Sequence, residues 1–208
     1  MALSALRERK QAADRVSASA QQASQAAQQA SKAVAQKAKQ KLLSYHQISA
    51  WYQHNEHILH HYRPESGSAA VCFHSWGYLH NETFNIFSHL LPSIAAVILE
   101  LLAFIYFTYI YPDATVRDRL VLAFFLLTAA TCLGLSATYH TMMNHSNDVC
   151  HFWLRLDFVG IVILTLGDFV SGIYLVFYCE PQQQKIYWTM VRTHLQCVYR
   201  RGLTSARS

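Results

Sequence analysis

A chain of 208 residues with a net charge of +5 is long enough for one ordinary domain, yet only 14% of its residues are charged, where a soluble domain carries about a quarter. The apolar residues are gathered into long stretches with the charges mostly outside them, which excludes a water-soluble core as the main body of the protein. The excess charge lies largely in residues 1 to 63, in Arg7, Arg9, Lys10, Arg15, Lys32, Lys37, Lys39, Lys41 and Arg63. Beside membrane helices such a basic end suits an anionic membrane surface, and with no binding motif accompanying it the reading assigns no nucleic-acid partner.

Residues 1–41 are Ala, Gln, Ser and Lys in loose repetition, helix-prone but without an apolar stripe to bury, and are expected to form a cytosolic arm. No signal peptide is visible, so the first membrane span is expected to do the targeting. Residues 42–84 mix aromatic rings with histidines, among them Trp51, Tyr52, His54, His57, His61, Tyr62, Trp76 and Tyr78. Such rings favour the headgroup layer, which predicts one or two interfacial helices, with His54, His57 and His61 on one face. That face reads either as an ordinary surface or as a metal site.

Three spans are predicted within 85–191, at about Ile86 to Ile110, Leu120 to Met143 and Phe152 to Cys179. Each is long enough, at about 1.5 Å per residue, to cross roughly 30 Å of hydrocarbon as a helix, and only a helix satisfies its own backbone there. The short turns at Tyr111 to Arg119 and Asn144 to His151 make the helices antiparallel neighbours. The fold class is therefore an all-α transmembrane bundle. Basic residues before the first span outweigh Arg117 and Arg119, which are offset by Asp113 and Asp118, so the N-terminus is expected in the cytosol. On that side the two sequons, at Asn81 and Asn144, are expected to stay unmodified. After Glu180-Pro181 an apolar run of six residues stops at Val191, and 192–208 forms a basic tail that cannot span a bilayer.

Polar residues collect where the first span begins, the second ends and the third begins, which antiparallel spans bring to one side of the membrane. They are His80, Asn81, Glu82, Asn85, Ser88 and His89; Ser136 and His140; Arg155 and Asp157. Ser136 and His140, four residues apart, share a helical face, and Asp157 lies across a short turn. An intramembrane carboxylate and imidazole are costly to insert and need a metal ion, a water or one another as partner. The plainer readings are a hydrogen bond locking two helices, a back-bonded Ser136, and a string from His80 to His89 that caps and anchors the first span. Glu100 and Asp168 are further acids inside the spans. The five cysteines show no Cys-x-x-Cys spacing, so neither a zinc knuckle nor a redox motif is indicated. No ring of charges or filter-like loop suggests a channel.

The string His80-Asn81-Glu82-Thr83-Phe84-Asn85-Ile86-Phe87-Ser88-His89, then Ser136-x-x-x-His140, then Leu156-Asp157-Phe158-x-Gly160-Ile161, resembles the progestin and adipoQ receptor family, which includes adiponectin receptors and haemolysin-III-like proteins. Trp51 to Glu56 and Tyr62-Arg63-Pro64 look like its approach segment. The resemblance implies a seven-helix membrane protein that holds zinc near the cytosolic face, in a plasma membrane or endomembrane. His140 is similar to the zinc ligand on the second span, and Ser136 and Asp157 look like the catalytic residues beside the water on that metal. It also implies a receptor-like role in lipid or sterol sensing and metal homeostasis, with a ceramidase-like, zinc-dependent lipid amide hydrolase as the alternative. The family's other zinc histidines form a His-x-x-x-His pair on the last helix, which this sequence lacks, so the zinc site is incomplete. The chain reads as a truncated form whose partners are membrane lipids, ceramide or a sterol among them, and a full-length homologue or a second copy that it could also modulate without catalysis.

Overall fold

The computed structural model describes residues 42–205 and, in the N-terminal arm, residues 10, 15, 17–30, 32 and 33; for residues 195 and 198–205 it describes the backbone alone. Among the described residues the fold is all-helical, with one isolated antiparallel bridge between Leu43 and Tyr62. Residues 17–30 are helical with every side chain exposed, as suits a stretch with no apolar stripe. Residues 10, 15, 32 and 33 are helical too, and the remaining residues of the predicted arm and the last three of the predicted tail lie outside the described residues.

The chain divides into two compact units, one joining the segment up to Ile86 with Thr138–Trp153, the other joining Phe87–Ala137 with the segment from Leu154 onward. In the first unit the aromatic and histidine-rich segment differs from the interfacial helices expected of it. It consists of single 3-10 turns at Tyr45–Gln47, Ala50–Tyr52 and Ser75–Gly77 and one short helix, α1, Ala69–His74. Side chains take the backbone groups that a longer helix would use: Gln53 Nε2 donates to the carbonyls of Tyr45 and Ile48 at 3.0 and 3.1 Å. The surface helix carrying His54, His57 and His61 does not form, because Asn55 Oδ1 accepts from the His57 amide at 2.9 Å and His61 turns at φ 70°. The bridge between Leu43 and Tyr62, with bonds of 2.8 and 3.0 Å, closes this segment around the buried rings of Tyr52 and Tyr62.

Among the described residues three helices are long and apolar enough to cross a membrane: α2, Thr83–Tyr109; α3, Val116–Met142; and α4, Asn147–Val176. All three sit where the apolar stretches predicted spans, and each begins a few residues earlier. The extra turn comes from polar residues that satisfy the first amides of a helix. Before α2, Glu82 N–H donates to His80 Nδ1 at 3.1 Å and His80 N–H to Thr83 Oγ1 at 2.9 Å. Before α3, Asp118 Oδ2 accepts from the Thr115 amide and hydroxyl at 2.7 and 2.8 Å. Only 6% of the most apolar stretch of α2 is buried, and Leu101 and Phe104 stand more than 60% exposed. Surface that apolar suits lipid and not water.

Within the second unit α3 and α4 pack at small residues. A Cβ on Gly160 would meet the Cys132 Cα at 3.1 Å, and one on Gly167 would collide with the Thr128 side chain. Ser93 on α2 donates to the Ala130 carbonyl at 2.8 Å. Helix α5, Pro181–Ser205, follows, and it is not among the helices apolar enough to span.

Candidate functional site

The first unit holds a carboxylate and an imidazole in direct contact. Glu82 sits at the entry to α2 and His140 in the last turn of α3, and Glu82 Oε2 lies 2.9 Å from His140 Nδ1. Three side chains serve the carboxylate: Asn81 Nδ2 donates to Oε1 at 2.6 Å, Asn85 Nδ2 to Oε2 at 2.8 Å, and His140 makes the third bond. Burial raises the Glu82 pKa, but the bonds from His140 and Asn85, helped by the charges of His140 and Arg63, outweigh it and hold the group below the usual carboxylate range. An ionised carboxylate only accepts, so Nδ1 of His140 carries a proton. A histidine that ligates a metal through Nε2 leans on a carboxylate through Nδ1–H in the same way.

His80 uses Nδ1 in the opposite sense. Its Nδ1 accepts from the Glu82 amide, so its Nε2 carries a proton and is a buried donor with no hydrogen-bond partner. Burial, reinforced by the charge of Arg63 and opposed by that of Glu82, pushes its pKa down to about 3, so the ring is neutral.

The second unit holds a hydroxyl and an imidazole. Ser136 Oγ, 6% exposed on α3, lies 2.8 Å from His89 Nδ1 on α2. Asp157 is half-buried on α4 in the same unit and takes part in neither of the two pairs. Glu100 is half-buried with one carboxylate oxygen unpartnered, and Asp168 is exposed on α4.

Of the residues singled out from the sequence, Ser136 and His140 are thus each given an immediate partner. Both partners, His89 and Glu82, belong to the polar string that was also open to reading as a simple anchor for the first span. Their spacing carried the signal: they are seven residues apart on one helical face, as Ser136 and His140 are four apart on the other helix.

The zinc implied by the resemblance can be tested against these groups. His140 fits as one ligand, with Glu82 as the carboxylate that orients it. A full sphere takes three or four protein ligands, and among the described residues no three His, Cys, Asp or Glu side chains are grouped to share a metal ion.

Comparison with known proteins agrees with the string of motifs. Residues 77–198, more than half of the chain, match the model of the family described as haemolysin-III related. The chain is 37% identical over 157 residues to the progestin and adipoQ receptor-like protein 1 of Caenorhabditis elegans, covering 74% of this chain and 35% of that one. It is 33% identical over 155 residues to the adiponectin receptor protein of Drosophila melanogaster, with 74% and 34% covered, and 30% identical over 153 residues to heptahelical transmembrane protein 1 of Arabidopsis thaliana, with 72% and 46% covered. The chain therefore spans about a third to a half of the curated relatives it matches. With helices of membrane length carrying the matched region, the chain belongs to the haemolysin-III related family and is an integral membrane protein of the progestin and adipoQ receptor type.

Proposed function

We propose that this chain is a receptor-like membrane protein for lipid or sterol sensing and metal homeostasis, in which His140 supplies one ligand of an intramembrane zinc ion. The observation that carries this reading is the 2.9 Å contact between Glu82 and His140, which engages Nδ1 with the carboxylate as ligation at Nε2 requires. The remaining ligands lie outside the described residues. Lipid as the sensed class is supported by an apolar cleft of about 930 Å³ in the second unit, lined by Ile161, Phe169, Ile173, Phe177 and Met190. The test is zinc content after purification from membranes with the chain's native partners retained. Zinc is expected in the unaltered protein, is lost in His140→Ala, and binds roughly 10- to 100-fold more weakly in Glu82→Gln. Equal zinc in His140→Ala would refute the reading.

A second reading, hydrolysis of a lipid amide such as ceramide, is favoured by the contact between Ser136 and His89. Zinc, when bound, supplies Lewis acidity at such a site. Ser136 Oγ and His89 Nδ1 share a hydrogen bond along which a proton can pass, and Asp157 is the carboxylate available on α4. Ceramide turnover that falls at least 100-fold in both Ser136→Ala and Asp157→Asn, and on chelation, would support it. Unchanged turnover in both variants would exclude it.

A further inference from the structure

Arg63 is fully buried in the first unit, and among the described residues no ion pair accounts for it. Its two terminal nitrogens make three hydrogen bonds, and its charge also acts on Tyr52 and Glu82. Nη2 donates to the His140 carbonyl at 2.7 Å, and Nη1 to the Thr141 carbonyl at 3.0 Å and to Ser75 Oγ at 2.9 Å. Nε has no partner. The carbonyls of the last helical turn have no acceptor role inside the helix, and a cation there also meets the negative end of the helix dipole. Burying a guanidinium is costly unless its bonds are well placed. Here they are spent on two successive carbonyls of α3, one of which is the carbonyl of His140 itself.

The chain following Arg63 is stitched to the same end of α3. Asn144 Nδ2 donates to the Pro64 carbonyl at 3.0 Å, Ser66 N–H to the Asn144 carbonyl at 2.9 Å, and Gly67 N–H to the His145 carbonyl at 2.9 Å. Trp76 Nε1 donates to Thr141 Oγ1 at 3.0 Å. These bonds fix both the rotation and the depth of the final turn of α3. That rotation decides whether the His140 ring meets Glu82.

We propose that Arg63 is the positioning residue of His140: its planar fork holds the backbone of the final α3 turn so that Glu82 can hold the ring, and the segment before the first span is thereby part of the site. The fork geometry is required, because an ammonium is a single point charge and cannot span two carbonyls in a fixed plane. The role of the held ring rests on the metal reading above, whereas the clamp itself does not.

The test follows the His140 imidazole in the full-length chain, labelled with nitrogen-15 histidine and reconstituted in lipid nanodiscs, with the signal assigned by its loss in His140→Gln. In the unaltered chain the ring should show one tautomer, protonated at Nδ1, and Glu82→Gln should disturb it. Arg63→Lys, which keeps the charge, and Arg63→Gln should each convert that signal to a mixture of tautomers in the folded protein. Ser75→Ala, which removes one acceptor and keeps the guanidinium, should cause a smaller change in the same direction. A folded variant of Arg63 or Ser75 that loses thermal stability but keeps the His140 signal of the unaltered chain would overturn the proposal, since a purely structural role predicts that result. Zinc(II), titrated into the same samples with a full-length relative co-reconstituted to supply further ligands, separates the two ideas. A tautomer change in Arg63→Lys with no zinc uptake by any of these samples leaves the clamp standing and removes the metal reading. Zinc uptake with no tautomer change does the reverse, and both together should show binding about tenfold weaker in Arg63→Lys.

Discussion

Two histidines of the first unit, His80 buried and His140 half-buried, use Nδ1 in opposite senses because their neighbours differ. His140 faces a carboxylate, which only accepts, while His80 faces the Glu82 amide, which only donates. Burial, reinforced by the charge of Arg63, holds the His80 ring neutral, with a pKa pushed down to about 3 from the ordinary 6.5. Between those two values the unfolded chain takes up a proton that the folded chain refuses, so the folded state loses stability as pH falls from about 6.5. One refused proton is a slope of at most about 1.4 kcal/mol per pH unit. His80→Asn, which keeps an acceptor near the Glu82 amide, should flatten the pH dependence of thermal unfolding between pH 6.5 and 5 relative to the unaltered chain. That window avoids Glu82, whose depressed carboxyl pKa contributes stability above the unfolded value of 4.5 that is lost only as pH falls below it. Identical slopes in the two proteins would show that His80 titrates normally.

At the scale of elements, the three spans were legible because length and apolarity alone identify a helix that must satisfy its own backbone in lipid. Their first turns were not, since capping depends on a few polar side chains such as those of Thr83 and Asp118. The segment 42–84 holds one short helix and single 3-10 turns where one or two interfacial helices were expected, because its aromatic content reports affinity for an interface and says nothing about backbone. What sets the backbone there is Asn55 at one turn and Gln53 spanning two carbonyls. Ser136 and His140 were visible as candidates from spacing on one helix. Their partners His89 and Glu82 lie on another helix or at its entry, and pairing between elements leaves only a faint periodic trace in sequence. The contact of α3 with α4 was equally invisible, being made where side chains are missing. Gly160 and Gly167 distinguish two kinds of close approach. A methyl added at either should destabilise the chain in detergent by roughly 1–3 kcal/mol, the usual cost of overpacking. The loss in Gly167→Ala should be partly restored by Thr128→Ala, because the obstacle is a side chain. Cys132→Ala should not rescue Gly160→Ala, where the obstacle is backbone. Unfolding midpoints of the four variants and two doubles would decide it, and additive losses at Gly167 and Thr128 would remove the contact.

At the scale of the whole molecule, the sidedness of the chain follows from how often it crosses, and that can be read without knowing how its units are arranged. Glu65 precedes α2 and Asp113 lies in the turn between α2 and α3, so one crossing separates them; both are exposed. The basic residues before α2 favour a cytosolic N-terminus, which would put Asp113 on the far side. The native sequon at Asn144 is a poor reporter of this, because that side chain is 2% exposed and committed to Pro64. Single cysteines report better. In a chain with the exposed Cys179 and Cys197 changed to serine, Asp113→Cys should react with a membrane-impermeant maleimide applied to the non-cytosolic face. Glu65→Cys should react only after the membrane is opened. The reverse pattern would invert the protein in the bilayer and place the Glu82 and His140 pair on the opposite side from the one proposed. Reaction of both positions from one face would show that α2 does not cross, and with that the reading of all three helices as spans would fail.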